Sequence, residues 1–138
     1  MESPTDLQSA RDAVIRAHLD AENVGDVAAT LASFATPSYE VMPLNTFADA
    51  QAVEGFLTMF FAGFPDLHQE IALSHHAESA VIIEMRNTGT HQGEFAGVPP
   101  TGRRIDVRSC NLFLFDGADL IGERIYFDLA TLMGQLTG

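Results

Sequence analysis

Tryptophan is absent from this sequence, and its 138 residues include a single cysteine, Cys110. A lone thiol cannot close an intrachain disulfide, so a hydrophobic core must hold the fold, and a reducing cytoplasm is the expected setting. Basic residues are scarce too: 7 Lys and Arg stand against 19 Asp and Glu, a formal charge of −12. A surface of that sign repels phosphate backbones and anionic lipid, which argues against nucleic acid and membranes as partners. No apolar run approaches the roughly 20 residues of a membrane helix. The opening residues, Met1 to Asp6, lack the basic stretch and apolar run of a secretory leader. Zinc-site spacing is missing, and the adjacent His75 and His76 would point to opposite faces of a strand, so no metal is expected. The glycine-rich stretch 89–102 lacks the lysine and the following helix of a phosphate loop, and no serine nucleophile elbow occurs.

What is present is apolar material: 46% of the residues are hydrophobic and ten are Phe. That suffices for one core and the lining of a cavity, and the length suits one domain over residues 1–138. Leu7, Val14, Ile15, His18, Leu19 and Glu22 fall near one side of a helix that ends at Asn23-Val24-Gly25, with Gly25 as a left-handed cap. Asp26 can cap a second helix carrying Val27, Leu31 and Phe34, closed by Pro37. A short extended segment, Tyr39 to Met42, is stopped by Pro43. A third helix carries Val53, Phe56, Leu57, Phe60, Phe61 and Phe64 on one broad apolar face before Pro65.

Beyond Pro65 the period becomes two. Leu67, Ile71 and Leu73 alternate with His68, Glu70 and Ala72, and strands follow over 80–91, 104–115 and 120–127, the last two joined by the turn Asp116-Gly117. Residues 128–136 read as a short closing helix. Helices first and strands afterwards predict a segregated α+β fold: a cone-shaped, curved antiparallel sheet packed on three N-terminal helices, with a short C-terminal helix and a pocket at its open end.

Alternation sorts the strand faces. Val81, Ile83, Met85 and Asn87 form one inner row. Ile105, Val107, Ser109, Asn111 and Phe113 form the next, and Ile121, Glu123, Ile125 and Phe127 the last. The pocket then holds Asn87, Ser109, Asn111 and Glu123 among aliphatic and Phe side chains. Glu123 is the first candidate for proton transfer, because a desolvated carboxylate gains proton affinity. The competing reading turns it to solvent against Arg108 or Arg124. His18 and Glu22, four apart on one helix, form either a histidine base held by a carboxylate or a solvated pair at a helix edge. Tyr39 either points its hydroxyl into the cavity or belongs to the core.

Three stretches carry a resemblance. Phe64-Pro65-Asp66-Leu67 sits at the helix-to-strand junction. Gly89-Thr90-His91-Gln92-Gly93-Glu94-Phe95-Ala96-Gly97-Val98-Pro99-Pro100-Thr101-Gly102 fits the pattern GTHxGxFxGxPPTG. Tyr126-Phe127-Asp128-Leu129 with Leu132 and Gln135-Leu136 closes the chain. Together, over about residues 7–136, they resemble the SnoaL-like polyketide cyclases (ester cyclases) of the nuclear transport factor 2-like superfamily. The resemblance implies the cone fold, intramolecular ring closure of a polyketide without metal or organic cofactor, and a homodimer or homotetramer formed through the sheet. The charged outer rungs Glu84, Arg86, Asp106 and Arg108 would suit a polar interface of that kind.

In that family an aspartate of the last strand acts as acid/base, supported by a histidine on the neighbouring strand. Aligned on the loop and the closing signature, these positions carry Ile125 and Asn111, so neither working group is present. Asp128, in the closing signature, becomes a second candidate for proton transfer or a helix N-cap. His91, in the loop motif, either contacts substrate or hydrogen-bonds backbone carbonyls to hold the excursion 93–102. Two functions follow as expectations. One is an enzyme performing cofactor-free cyclisation, isomerisation or hydroxylation of a small apolar, cyclic substrate. The other is a binding or accessory protein that kept the fold without the chemistry.

Overall fold

A computed structural model describes residues 4–42 and 44–138. The polar opening residues 1–3 and the strand-stopping Pro43 lie outside the described residues. Helix α1 (Pro4–Asn23) buries Ile15, His18, Leu19 and Glu22 of the expected stripe, half-buries Leu7 and Val14, and also buries Arg11, which the stripe did not include. It stops where Gly25 adopts φ +67°, a conformation glycine takes without a Cβ clash, and Gly25 N donates to Glu22 O at 3.0 Å. Asp26 then caps α2 (Val27–Ala32), its Oδ1 accepting from Ala29 N at 3.0 Å.

Strand β1 (Tyr39–Met42) is the expected extended segment, and β2 (Asn45–Phe47) returns antiparallel to it. The sequence reading found no β2, because three residues with one apolar member carry no usable period. Helix α3 (Ala50–Gly63) is capped by Asp49, whose Oδ1 accepts from Ala52 N at 2.8 Å. It buries Val53, Phe56 and Leu57, and its Phe56, Phe60 and Phe64 rings run in contact at 5.8 and 5.4 Å.

Four long strands follow: β3 (His68–His76), β4 (Ala80–Thr90), β5 (Arg104–Asp116) and β6 (Asp119–Phe127). Helix α4 (Leu129–Thr137) closes the chain. The six-stranded order is β2-β1-β6-β5-β4-β3, a curved sheet with free edges at β2 and β3. All neighbours are antiparallel except β1 and β6, which pair in parallel with Tyr39 opposite Glu123. That parallel pair is the departure from the antiparallel sheet expected from sequence, and it brings a residue near the chain's start against the last strand.

Two bulges correct the alternation. In β3, Ile71 pairs with Met85 and Leu73 with Glu84, so Ala72 is an extra residue and Leu73 turns outward, 54% exposed. In β6, Gly122 pairs with Leu114 and Leu120 with Phe115, leaving Ile121 as the extra residue. Ile121, expected inside, therefore stands 41% exposed, and Leu120 takes the inner place. Beyond the bulge the predicted phase holds, and Glu123 faces inward.

The excursion 91–102 packs against the end of α3. Gln92 N and Gly93 N donate to Gly63 O at 3.0 and 3.2 Å, and Phe95 is buried against Phe60 and Phe64. Only glycine fits at 93, where a Cβ would stand 2.1 Å from Ala62 O. Asp66 of the helix-to-strand junction accepts Thr90 N and Thr90 Oγ1, both at 2.7 Å, and these bonds hold its carboxyl below the usual range. Arg11 ties α1 to the far end of the sheet. It donates to Gly117 O at 2.8 Å and Glu78 O at 3.0 Å, with its guanidinium 5.2 Å from the Phe115 ring centre. Among the described residues no helix is long and apolar enough to cross a membrane.

Candidate active site

Between α3, α4 and the concave sheet face lies a cavity of about 670 Å³ counted out to its open mouth. It is a narrow slot. Its walls include Val41, Phe56, Phe60, Phe61, Val107 and Ile125, and no Lys or Arg lines it. The polar lining is Glu22, Tyr39, Gln69, Asn87, Ser109, Asn111 and Glu123.

Three elements bring a buried titratable cluster to one end. Helix α1 supplies His18 and Glu22, β1 supplies Tyr39, and β6 supplies Glu123. His18 is fully buried, with Nε2 2.5 Å from Glu22 Oε1 and 3.1 Å from Glu123 Oε1. Tyr39 donates its hydroxyl proton to Glu22 Oε1 at 2.8 Å. Burial, followed by the charges of Glu22 and Glu123, pushes the phenol well above its ordinary range, so it stays a neutral donor.

The hydrogen bonds fix the protons on His18. Ser33 Oγ donates to Thr30 O at 2.6 Å, so toward His18 Nδ1, 2.8 Å away, that hydroxyl can only accept. Nδ1 therefore carries a proton. Nε2 faces two carboxyl groups, which makes the ring an imidazolium between them. Burial alone would lower its pKa and is the largest single influence. The charges and hydrogen bonds of Glu22 and Glu123 outweigh it and raise the pKa to about 10.

Glu123 is 3% exposed, and burial raises its pKa; His18 and an Asn111 hydrogen bond oppose that, and Glu22 adds to it. Its Oε2 accepts from Asn111 Nδ2 at 2.6 Å, whereas its Oε1 makes no hydrogen bond of good geometry although His18 stands near. A buried carboxylate oxygen held only by an ion pair, at the wall of an apolar slot, is a poised proton acceptor.

From Asn111 a ladder of hydrogen bonds crosses the sheet. Ser109 Oγ donates to Asn111 Oδ1 at 2.7 Å, Asn87 Nδ2 donates to Ser109 Oγ at 2.9 Å, and Gln69 Nε2 donates to Asn87 Oδ1 at 3.1 Å. Every donor points toward Glu123. The expected site residues Glu22, Tyr39, Asn87, Ser109, Asn111, Glu123 and Ile125 thus all line one cavity, with His18 directly behind Glu22 and Glu123. Asn111 and Ile125, where the resemblance puts the cyclases' histidine and aspartate, are cross-strand partners.

Two of the expected site residues stand outside the cavity, where their structural alternatives, loop anchor and helix N-cap, apply. His91 is fully buried but does not line the cavity. Its ring lies 5.6 Å from that of Phe64, and its Nδ1 meets Thr101 Oγ1 at 3.0 Å and Thr101 N at 3.3 Å, not carbonyl oxygens. Asp128 is exposed at the N-cap of α4, away from the cavity, and accepts from Thr131 Oγ1 at 2.6 Å. The chain turns there from strand to helix, which carries the side chain out of the sheet's inner row. Ser33 and Gln69 were missed. Gln69 was legible, since it lies between Leu67 and Ile71 at period two. Ser33 follows α2 and has no sequence signal.

His18, Glu22 and Glu123 place one ligand atom each within 4.8 Å of one another, a donor set that could hold a divalent ion. The ion pair of His18 with Glu22 is one that a metal would have to displace.

Sequence comparison settles the kinship. The profile of the SnoaL-like polyketide cyclases matches residues 12–136. The chain belongs to that family. No functionally curated protein matches this SnoaL-like chain in sequence. Solved structures similar to it include a provisionally named SnoaL-like polyketide cyclase from Jannaschia sp. CCS1, with 22% identity over 100% of this chain and 97% of that one, TM-score 0.87. AclR from Streptomyces galilaeus, provisionally named a hydroxylase, has 22% identity over 93% and 96%, TM-score 0.80. A Catenulispora acidiphila protein with a ketosteroid isomerase-like fold, in complex with trimethylamine, has 20% identity over 89% and 91%, TM-score 0.75. These neighbours share the nuclear transport factor 2-like fold.

Proposed function

We propose that this SnoaL-like protein is a cofactor-free acid/base enzyme acting on a small, neutral, largely apolar ring compound, with Glu123 as the base. Cyclisation by aldol closure and isomerisation both begin by taking a proton from carbon next to an activating group, the step a desolvated carboxylate performs well. The observation that carries this reading is Glu123 Oε1, buried, without a good hydrogen bond, at the wall of an apolar slot. The His18 imidazolium would steady the charge that a second buried carboxylate, Glu22, makes unfavourable. A polyketide-like substrate follows from the family. A cytoplasmic setting rests on the single thiol and the acidic charge. A one-domain subunit in a homodimer or homotetramer rests on the exposed charged rungs of β4 and β5.

A generic substrate tests the base without knowledge of the natural one. In 5-nitrobenzisoxazole, removal of the ring C–H proton forms the nitrile as the N–O bond breaks, giving coloured 2-cyano-4-nitrophenolate. The protein is expected to accelerate this over buffer, and Glu123→Gln to lower the protein-dependent rate about 10²-fold. An unchanged rate in a folded Glu123→Gln protein would remove Glu123 as base. The competing reading, a binding protein without chemistry, is favoured by Ile125 and Asn111 at the cyclase positions, and it predicts binding without acceleration.

A further inference from the structure

Gln69 holds the second open acceptor of the cavity. Its Oε1 is buried and has no hydrogen-bond partner. The orientation of its amide is fixed from outside the residue. Val107 O can only accept, so Asn87 turns Nδ2 toward it at 3.1 Å, and Asn87 Oδ1 then faces Gln69. The Glu123 carboxylate fixes Asn111 in the same way from the other end. Gln69 must therefore present Nε2 to Asn87, which leaves Oε1 open. The backbone is clamped as well: Gln69 N donates to Asn23 Oδ1 at 2.7 Å, and Asn23 Nδ2 donates to Gln69 O at 3.1 Å.

Within the slot, the Asn87, Ser109 and Tyr39 protons are all engaged by protein acceptors. Gln69 Nε2 and Asn111 Nδ2 each keep a second N–H beyond the one bond they make, but the atom with no partner at all at this end of the ladder is an acceptor, Gln69 Oε1. At the other end, Glu123 Oε1 has His18 Nε2 3.1 Å away. Two carboxyl groups and no lysine or arginine line the slot, which excludes an anionic ligand. An acceptor buried without a partner favours a ligand that brings a donor and rejects its methylated analogue.

We infer that Gln69 is a specificity residue that receives a hydroxyl of the substrate, so that the slot selects neutral, hydroxylated ring compounds over their ethers and over carboxylates. This rests on the reading of the cavity as a small-molecule site.

The test compares binding of 2-naphthol, 2-methoxynaphthalene and 2-naphthoate by fluorescence or calorimetric titration. The naphthol is expected to bind about tenfold more tightly than its ether, with the naphthoate weakest. In Gln69→Met the naphthol-to-ether ratio should fall toward one, with Gln69→Leu as a second variant and a thermal melt reporting the folding of each. A ratio unchanged in a folded Gln69 variant, or equal binding of naphthol and ether by the wild type, overturns the inference. Absence of binding by all three probes overturns it together with the binding site. The two readings fail separately: loss of Glu123-dependent ring opening would leave a Gln69-dependent preference standing, and the reverse also holds.

Discussion

Ser33 accepts a hydrogen bond from His18 Nδ1 because its own hydroxyl proton is committed to Thr30 O. A residue on the turn after α2 thus sets the protonation of a ring on α1. Ser33→Ala is expected to leave the Nδ1–H unpaired in the interior, lowering stability by about 1–3 kcal/mol and lowering the His18 pKa. Chemical denaturation reads the first effect and an NMR titration of the imidazole the second.

Stability should decline in alkali. His18 has its pKa raised from 6.5 to about 10, so the folded state binds that proton more tightly than the unfolded chain. Its contribution is complete below pH 6.5 and is lost as the pH rises toward 10. Glu123, also raised, acts in the same sense, its contribution being lost as the pH climbs above the usual carboxylate range. Melting temperature measured from pH 6 to 10 should fall for the wild type, with a flatter slope in His18→Gln. A wild-type curve rising over that range would contradict the charge assignment.

Arg11 is 4% exposed, and every hydrogen bond it makes goes to a backbone carbonyl in the turns at 77–78 and 117. Arg11→Met keeps most of the apolar stem and strands those carbonyls. A loss of about 2–3 kcal/mol is expected, with little change in ring-opening activity because the contact lies far along α1 from Glu22.

Gly93→Ala would force a Cβ to within 2.1 Å of Ala62 O, and a backbone oxygen has little room to yield. Destabilisation of about 1–3 kcal/mol is expected, read by denaturant titration. Gly97→Ala meets no atom, but its φ of +80° disfavours a side chain, so a smaller loss of about 1 kcal/mol is expected there.

Removing metal should change nothing at the proposed base. Dialysis against EDTA is expected to leave the Glu123-dependent ring opening intact. Loss of activity restored by a divalent ion would instead assign His18, Glu22 and Glu123 to a metal.

The elements that carry a long period were readable from residue order alone. The Val53 to Phe64 stripe, the Asp26 cap and the Gly25 stop are local, and each stands where the side chains required. Glu123 was readable because its neighbours at period two are apolar. Ile121 was not, because a bulge is decided by how β5 and β6 register, a relation between residues distant in sequence. The cluster itself was half legible. His18 and Glu22 share a helix face, but nothing local says that Tyr39 will lie parallel to β6 and bring its hydroxyl to them. Gln69 was readable in the same way as Glu123, since Leu67 and Ile71 flank it at period two.

The ladder from Gln69 to Glu123 contains a single hydroxyl among amides, and amide groups do not relay protons as hydroxyls do. On its other side, Ser33 ends at a backbone carbonyl. A proton received by Glu123 is therefore not relayed outward along the amide ladder. The ladder is a scaffold that orients its two end groups, not a wire for hydrogen.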